Sequence, residues 1–230
     1  MISVVIPTYN EKKNISKILI RLLRVKAVSE IIFVDDQSED KTYEEIINLK
    51  SKKVKGFLRK SKKKDLSKSV LLGVQKAKCN NILVMDCDLQ HNPKYIKGIW
   101  KKFNKYGHDI VIANRFTKKK LIGNLGYFRS FISLFTISLI NFIFGKKTYD
   151  PLSGFFLCKK NIITKYRKNF FSCGYKILFD IVYNGQNNLN IGHQNIAFNR
   201  RQYEKSKFNI AIILIFLKQM IYTKLLQKKS

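Results

Sequence analysis

From Ile2 to Ala113 the chain alternates short apolar runs with segments whose apolar residues recur at helical spacing. Ile2 to Ile6 reads as a strand closed by Pro7, and Ile15, Ile18, Leu19, Leu22 and Leu23 then mark a helix over Asn14 to Leu23. The unit recurs as strand Glu30 to Val34 and helix Thr42 to Leu49, then strand Val54 to Leu58 and helix Leu66 to Ala77. Strand Asn81 to Met85, helix Pro93 to Phe103 and strand Asp109 to Ala113 complete it. Buried strands alternating with amphipathic helices predict an α/β fold, with a mostly parallel sheet covered on both faces. After Arg115 the rhythm breaks into a basic loop at Lys118 to Lys120, an apolar helix from about Gly126 to Phe144, a further α/β stretch, a second basic loop from Arg200 to Lys207 and a terminal helix over Asn209 to Leu226.

With 230 residues and 45% apolar content the chain can bury a core, which excludes intrinsic disorder. The 45 Lys and Arg against 15 Asp and Glu give a net charge of +30, the electrostatic footprint expected of phosphate binding. Biased composition can also produce such a charge, since only eight of the cations are Arg. No helix-turn-helix or RNP-like signature supports a nucleic-acid-binding module. Cys79, Cys87, Cys158 and Cys173 form no CxxC pair and are read as reduced thiols. No secretory leader precedes Thr8-Tyr9-Asn10-Glu11, so a cytosolic location is expected. The apolar runs Ser130 to Gly145 and Phe208 to Leu217 are shorter than the ~20 residues a spanning helix needs.

In an open parallel sheet a ligand sits beyond the carboxyl ends of the strands, so polar residues placed there matter most. The first strand ends in Pro7-Thr8-Tyr9-Asn10-Glu11, an aromatic face beside a carboxylate, as a nucleoside site needs; the same residues suit a helix entry with Asn10 as N-cap. The second ends in Asp35-Asp36-Gln37-Ser38, two adjacent acids or a turn. The third ends in Asp86-Cys87-Asp88-Leu89-Gln90, a set of oxygen ligands suited to Mg²⁺ or Mn²⁺ or, alternatively, a solvated turn.

These residues resemble a family 2 glycosyltransferase, and within it the dolichyl- or polyprenyl-phosphate mannosyltransferases. The resemblance lies in VVIPTYNE (4–11), VDDQSEDKT (34–42), VMDCDLQHNP (84–93), Ala113 to Phe116, DPLSGFF (150–156) and Gly174-Tyr175-Lys176. It implies a GT-A fold, with a domain over 1–207 made of a nucleotide-sugar half (1–116) and an acceptor half (117–207), and no transmembrane extension. Pro7, Tyr9, Glu11 and Asp36, together with Asp86, would bind the donor; Asp86, Asp88 and Gln90 would hold Mg²⁺ or Mn²⁺. Arg115, Arg129, Arg201 and Lys207 match positions that bind phosphate, with Ser133 one turn beyond Arg129, and Asp88, Arg115 and Arg129 are the expected catalytic set. The implied reaction is inverting transfer of a hexose, mannose from GDP-mannose in the first instance, to a polyprenyl phosphate at the cytosolic membrane face. UDP-glucose or another donor, or a glycan hydroxyl as acceptor, remain alternatives.

Polymer-making relatives need a general base to activate a hydroxyl, often an Asp in a late acidic motif. The corresponding region here holds only Asp180, whereas a phosphate acceptor is already anionic. The chain departs from the family at Gln37, at Lys64 to Ser69 and at Glu204, where glycine is usual, and at Asp180, where Glu is. The segment 208–230, basic at its end and apolar along Ile210, Ile213, Leu214, Leu217, Ile221 and Leu225, is expected to be an amphipathic helix at an anionic membrane surface. The helix before Phe144 is either a second such element or part of the core, and a separate membrane-anchoring subunit is a further possible partner.

Overall fold

The computed structural model describes residues 1–61, 63–115, 127–197 and 210–228. Its elements run β1 (Ile2–Thr8), α1 (Lys12–Leu23), β2 (Val28–Asp35), α2 (Thr42–Ile47), β3 (Val54–Leu58), α3 (Leu66–Lys76) and β4 (Asn81–Val84). A 3₁₀ turn at Pro93–Tyr95 leads into α4 (Ile96–Lys105) and β5 (Ile110–Asn114). There follow α5 (Tyr127–Phe144), β6 (Phe156–Lys159), α6 (Lys160–Thr164), α7 (Ile177–Tyr183), β7 (Ile191–Asn195) and α8 (Ile210–Gln227). The first nine elements fall where the apolar patterning places them, within a few residues at each end.

The strands form a seven-stranded sheet in the order β3-β2-β1-β4-β6-β5-β7. β1 pairs in parallel with both β2 and β4, while β6 runs antiparallel to β4 and β5. The sheet is therefore mostly parallel, as expected, but β6 from the second half of the chain is inserted between strands of the first, so the halves share one sheet. Strand order turns back at β1, and a sheet opens a ligand crevice at such a point. The register lines up the carboxyl ends: Thr8 faces Asp35, the Asp36 N–H reaches Thr8 O at 2.8 Å and the Met85 N–H reaches Val5 O at 3.2 Å. Thr8, Asp36 and Asp86 thus arrive at one edge.

β1, β2 and β5 are apolar and buried on both faces, as a sheet covered by helices on both sides requires. α3 covers β1 at close range because residue 73 is glycine: a Cβ there would overlap Val5 and stand 3.2 Å from Val34 Cγ2. This packing also places Asp65, the N-cap of α3, at the sheet edge, where its side chain accepts from the Lys68 N–H at 2.9 Å. Gly73→Ala is expected to destabilise the fold by about 1–3 kcal/mol through overpacking, read as a lower denaturant midpoint with unchanged slope.

Candidate active site

A cleft of about 790 Å³ opens at the carboxyl ends of β1, β2 and β4. Its lining includes Pro7, Tyr9, Glu11, Asp36, Asp86, Asp88, Gln90, Arg115 and Ser133, so nine of the residues expected from the sequence come together. Arg129 lies on α5, but its side chain is outside the described residues, as are Arg201 and Lys207 altogether.

At the β1 end the chain turns sharply. Asn10 has φ 52° and is not the N-cap of α1: that position is Glu11, which makes no side-chain cap bond. Asn10 instead ties two loops together, its side-chain oxygen accepting from the Glu39 N–H at 2.9 Å and its own N–H donating to Ser38 Oγ at 2.8 Å. Glu11 is held between Thr42 Oγ1, which accepts its N–H at 2.8 Å, and Asn14 Nδ2, which donates to Oε2 at 2.6 Å. The two acids at the end of β2, Asp35 and Asp36, divide their work. Asp35 accepts from Ser38 N–H at 2.9 Å and from Thr8 Oγ1 at 3.2 Å, which fixes the loop, while Asp36 turns into the cleft. Asp36 pairs with Arg59 and accepts the Asp65 N–H at 2.5 Å; burial pushes its carboxyl up, against the pull of that N–H and of Arg59. Gln37 sits at φ 55°, the left-handed region that glycine occupies without strain. Lys64 donates to Gln37 O at 2.7 Å and lies over the Tyr9 ring at 4.9 Å, closing this end of the cleft.

The β4 end is strained as well. Leu89, buried between Asp88 and Gln90, takes φ 62°, which costs a branched residue about 1–2 kcal/mol. Asp88 Oδ1 accepts the Gln90 N–H at 3.1 Å and so sets the turn. His91, buried against Phe155, accepts the Asp86 N–H on Nδ1 at 3.1 Å; that nitrogen therefore carries a lone pair, and its 3.5 Å approach to Asp86 Oδ2 is not an ion pair. The carboxylate of Asp86 rests on Gly154, where a Cβ would come within 2.8 Å of Oδ2 and 3.1 Å of Oδ1.

Among the described residues no three His, Cys, Asp or Glu side chains cluster closely enough to hold a metal by themselves. Two carboxylates and one amide oxygen nevertheless fit a Mg²⁺- or Mn²⁺-type ion, which commonly takes one or two protein carboxylates and completes its shell with water and substrate phosphate. Arg115, at the end of β5, makes a bidentate pair with Asp150, Nε to Oδ2 and Nη2 to Oδ1, both at 2.8 Å. Its buried guanidinium thus has a fixed plane, which the sequence did not foretell.

The far wall is apolar. Ile132, Phe135 and Leu139 of α5 and Ile213, Phe216 and Met220 of α8 line it together with Tyr175 and Lys176. α8 is nearly apolar all round; of its polar residues Gln219 (1% exposed) and Thr223 (0%) point inward while Lys218, Lys224 and Gln227 are exposed, as are Ile221 (61%) and Phe142 of α5 (88%). The inward residues dock on α7. Gln219 Nε2 donates to Lys176 O at 3.2 Å, and Asn184 Nδ2 donates at 2.9 Å to both Thr223 Oγ1 and Asp180 Oδ1. Of the apolar stripe read in the sequence, Leu214, Ile221 and Leu225 are exposed, while Ile213 and Leu217 line the cleft. Among the described residues no helix is long and apolar enough to cross a membrane. Asp180 is buried and outside the cleft lining; it accepts the Phe171 and Ser172 N–H groups at 3.2 and 3.1 Å, and burial pushes its carboxyl up.

Arg59, Lys64, Asp65, Asp150, Gly154 and Tyr175 were given no role by sequence reasoning. Asp150, Gly154 and Tyr175 lay inside recognised motifs and Arg59 directly follows the strand read over Val54 to Leu58, whereas Lys64 and Asp65 lay in a segment noted only as departing from the family.

A sheet in this order, with acids at the ends of β1, β2 and β4, defines the GT-A class of nucleotide-sugar transferases. The fold matches glucosyl-3-phosphoglycerate synthase from Mycobacterium tuberculosis with a TM-score of 0.73, at 17% identity and covering 98% of this chain and 79% of that one. A complex of that enzyme with Mn²⁺, UDP-glucose and phosphoglyceric acid matches equally well, at 0.73. Residues 3–167 match the family model described as glycosyl transferase family 2, and the chain belongs to that family. It is similar to a dolichol-phosphate mannosyltransferase from Pyrococcus furiosus, at 35% identity over 80% of this chain, and spans 53% of that relative's length. The enzyme of the same description from Saccharomyces cerevisiae is 29% identical over 95% of this chain and 85% of its own.

Because Gly154 seats the Asp86 carboxylate, Gly154→Ala is expected to weaken Mn²⁺-dependent nucleoside diphosphate binding about tenfold or more while leaving thermal unfolding near that of the unaltered protein. Calorimetric titration with and without Mn²⁺ checks this.

Proposed function

We propose that the protein transfers a hexose, mannose from GDP-mannose in the first instance, to a polyprenyl or dolichyl phosphate at the cytosolic face of a membrane. The observation that carries this reading is the composition of the cleft: an acidic sheet edge on one side and the apolar flanks of α5 and α8 on the other. A sugar nucleotide suits the first wall and an isoprenoid chain the second.

In this reading Pro7, Tyr9, Glu11 and Asp36 hold the nucleoside, while Asp86, Asp88 and Gln90 hold Mg²⁺ or Mn²⁺ at the diphosphate. Such an ion supplies Lewis-acid neutralisation of the charge that builds on the departing nucleotide. Arg115, Arg129, Ser133, Arg201 and Lys207 hold the acceptor phosphate. One of its oxygens forms the new bond to the anomeric carbon as the bond to the nucleotide's phosphate oxygen breaks, so configuration inverts. No proton has to be removed from a phosphate that is already anionic, and the position of Asp180, engaged with backbone N–H groups outside the cleft, suits a reaction without a late general base. The outward apolar faces of α5 and α8, with Lys146, Lys147 and Lys228 at their ends, suit a helix pair lying in an anionic lipid interface.

Incubation with GDP-mannose or UDP-glucose, Mg²⁺ or Mn²⁺ and a polyprenyl phosphate is expected to give a lipid-linked sugar and the free nucleoside diphosphate, both read by mass spectrometry; no lipid product with any common donor overturns the assignment. Asp88→Ala is expected to lower turnover by roughly 10²–10³-fold, the scale of losing a principal group that stabilises transition-state charge, with an unchanged melting temperature.

A further inference from the structure

Two tyrosines line the same cleft as Asp36, Tyr9 just after β1 and Tyr175 just ahead of α7, and a series of hydrogen bonds joins the places where they stand. Thr8 O accepts the Asp36 N–H at 2.8 Å, Asp36 Oδ2 accepts the Asp65 N–H at 2.5 Å, and Asp65 Oδ2 accepts the Gly174 N–H at 3.0 Å. The residue before one ring is thereby tied to the residue before the other. Asp65 is 8% exposed, and its other oxygen caps α3 through the Lys68 N–H at 2.9 Å. Ser67, in the first turn of that helix, adds a bond from its N–H to Gly174 O at 2.9 Å. Gly174 takes φ 86°, in the left-handed region that strains other residues, and a Cβ there would come within 2.7 Å of Ile215 Cγ2 on α8. The turn is thus fastened to α3 and lies beside α8, and Tyr175 leaves it half-buried in the cleft wall.

We propose that the Tyr175 ring is a second aromatic contact for the nucleobase of the donor, and that Asp65 is the positioning residue that holds it there; the inference rests on the donor reading above. Every nucleobase has a π-face that stacks on an aromatic side chain. A ring already held in place loses little freedom when the ligand arrives, so its contact is not offset by the cost of ordering a loop. Asp180 holds the beginning of the same segment through the Phe171 and Ser172 N–H groups, while Lys176, the N-cap of α7, makes no side-chain cap bond at its end. Between those points Asp65 and the Ser67 N–H supply the anchorage of Gly174, and the side chain of Asp65 is the part that substitution can remove.

The test is calorimetric titration with GDP and with UDP and, separately, with inorganic pyrophosphate, each in the presence of Mn²⁺. Asp65→Ser keeps an N-cap as good as Asp but is too short to reach Gly174 as well. It is expected to weaken nucleoside diphosphate binding about tenfold, the scale of one stacked base, and not to weaken pyrophosphate binding, because pyrophosphate has no base. Tyr175→Ala is expected to give the same pair of results, and the double variant to bind no more weakly than Tyr175→Ala alone, because Asp65 acts through that ring. Unchanged nucleoside diphosphate affinity in either single variant, an equal loss of pyrophosphate affinity, or additive losses in the double variant overturns the proposal. Should Asp65→Ser fail to fold, Asp65→Asn, which keeps the length and one oxygen, takes its place under the same criteria. If the unaltered protein binds neither GDP nor UDP, the donor reading falls together with the proposal; binding by the unaltered protein alongside any of the overturning results removes only the roles of Tyr175 and Asp65.

Discussion

Five of the chain's 15 acids, Glu11, Asp36, Asp65, Asp86 and Asp88, converge on one cleft, and their mutual repulsion is the constraint around which the sheet edge is built. Each is held by a specific donor or support. Asn14 serves Glu11, Arg59 and the Asp65 N–H serve Asp36, the N–H groups of Lys68 and Gly174 serve Asp65, Gly154 supports Asp86, and the Gln90 N–H serves Asp88. Charge-assisted bonds of this kind are the stronger hydrogen bonds in proteins, and they allow carboxylates to stay close together where water is sparse. Positive φ angles at Asn10, Gln37 and Leu89 fall at the three strand ends that carry these acids, so backbone strain is concentrated where side chains must be aimed. The global charge of +30 therefore hides a local reversal of sign.

The second organising contrast lies across the cleft. An ordinary surface helix turns its apolar side inward, but α8 buries Gln219 and Thr223 and exposes Leu214, Ile221 and Leu225. Asp180 and Asn184 supply the buried partners, and Lys224 Nζ reaches Ile143 O at 3.1 Å, joining the C-terminal ends of α8 and α5. Polar contacts give orientation here, because an apolar helix has no preferred face against an apolar wall. The arrangement resembles helices in lipid, where polar groups pair within the protein and apolar ones face outward.

The parallel half of the fold was legible because each β and α segment carries its own period, from the Ile2 to Ile6 run closed by Pro7 to the Asp109 to Ala113 strand. β6 was not resolved as a separate strand. Phe156 to Lys159 are four residues whose apolar run suits a strand or a helix core equally, and their antiparallel insertion between β4 and β5 depends on partners more than forty residues away along the chain. The site shows the same division. Tyr9, Asp36, Asp86 and Asp88 were legible because they follow strands closely and carry oxygen or aromatic groups suited to a ligand; Arg59 also follows a strand directly, but its role comes from pairing with Asp36 across the fold.

By itself the sequence determined which residues stand at the strand ends, since local periodicity places them there whatever the remainder does. It also determined the family, through motifs whose residue types and order are written along the chain. Tertiary structure alone decided that Arg115 pairs with Asp150 instead of standing as a solvated cation, that Asp180 is buried outside the cleft lining where it helps to dock α8, and that Gln219 and Thr223 of α8 are buried. All three depend on which groups find partners across the fold, and pairing between distant residues follows from packing that no local pattern encodes.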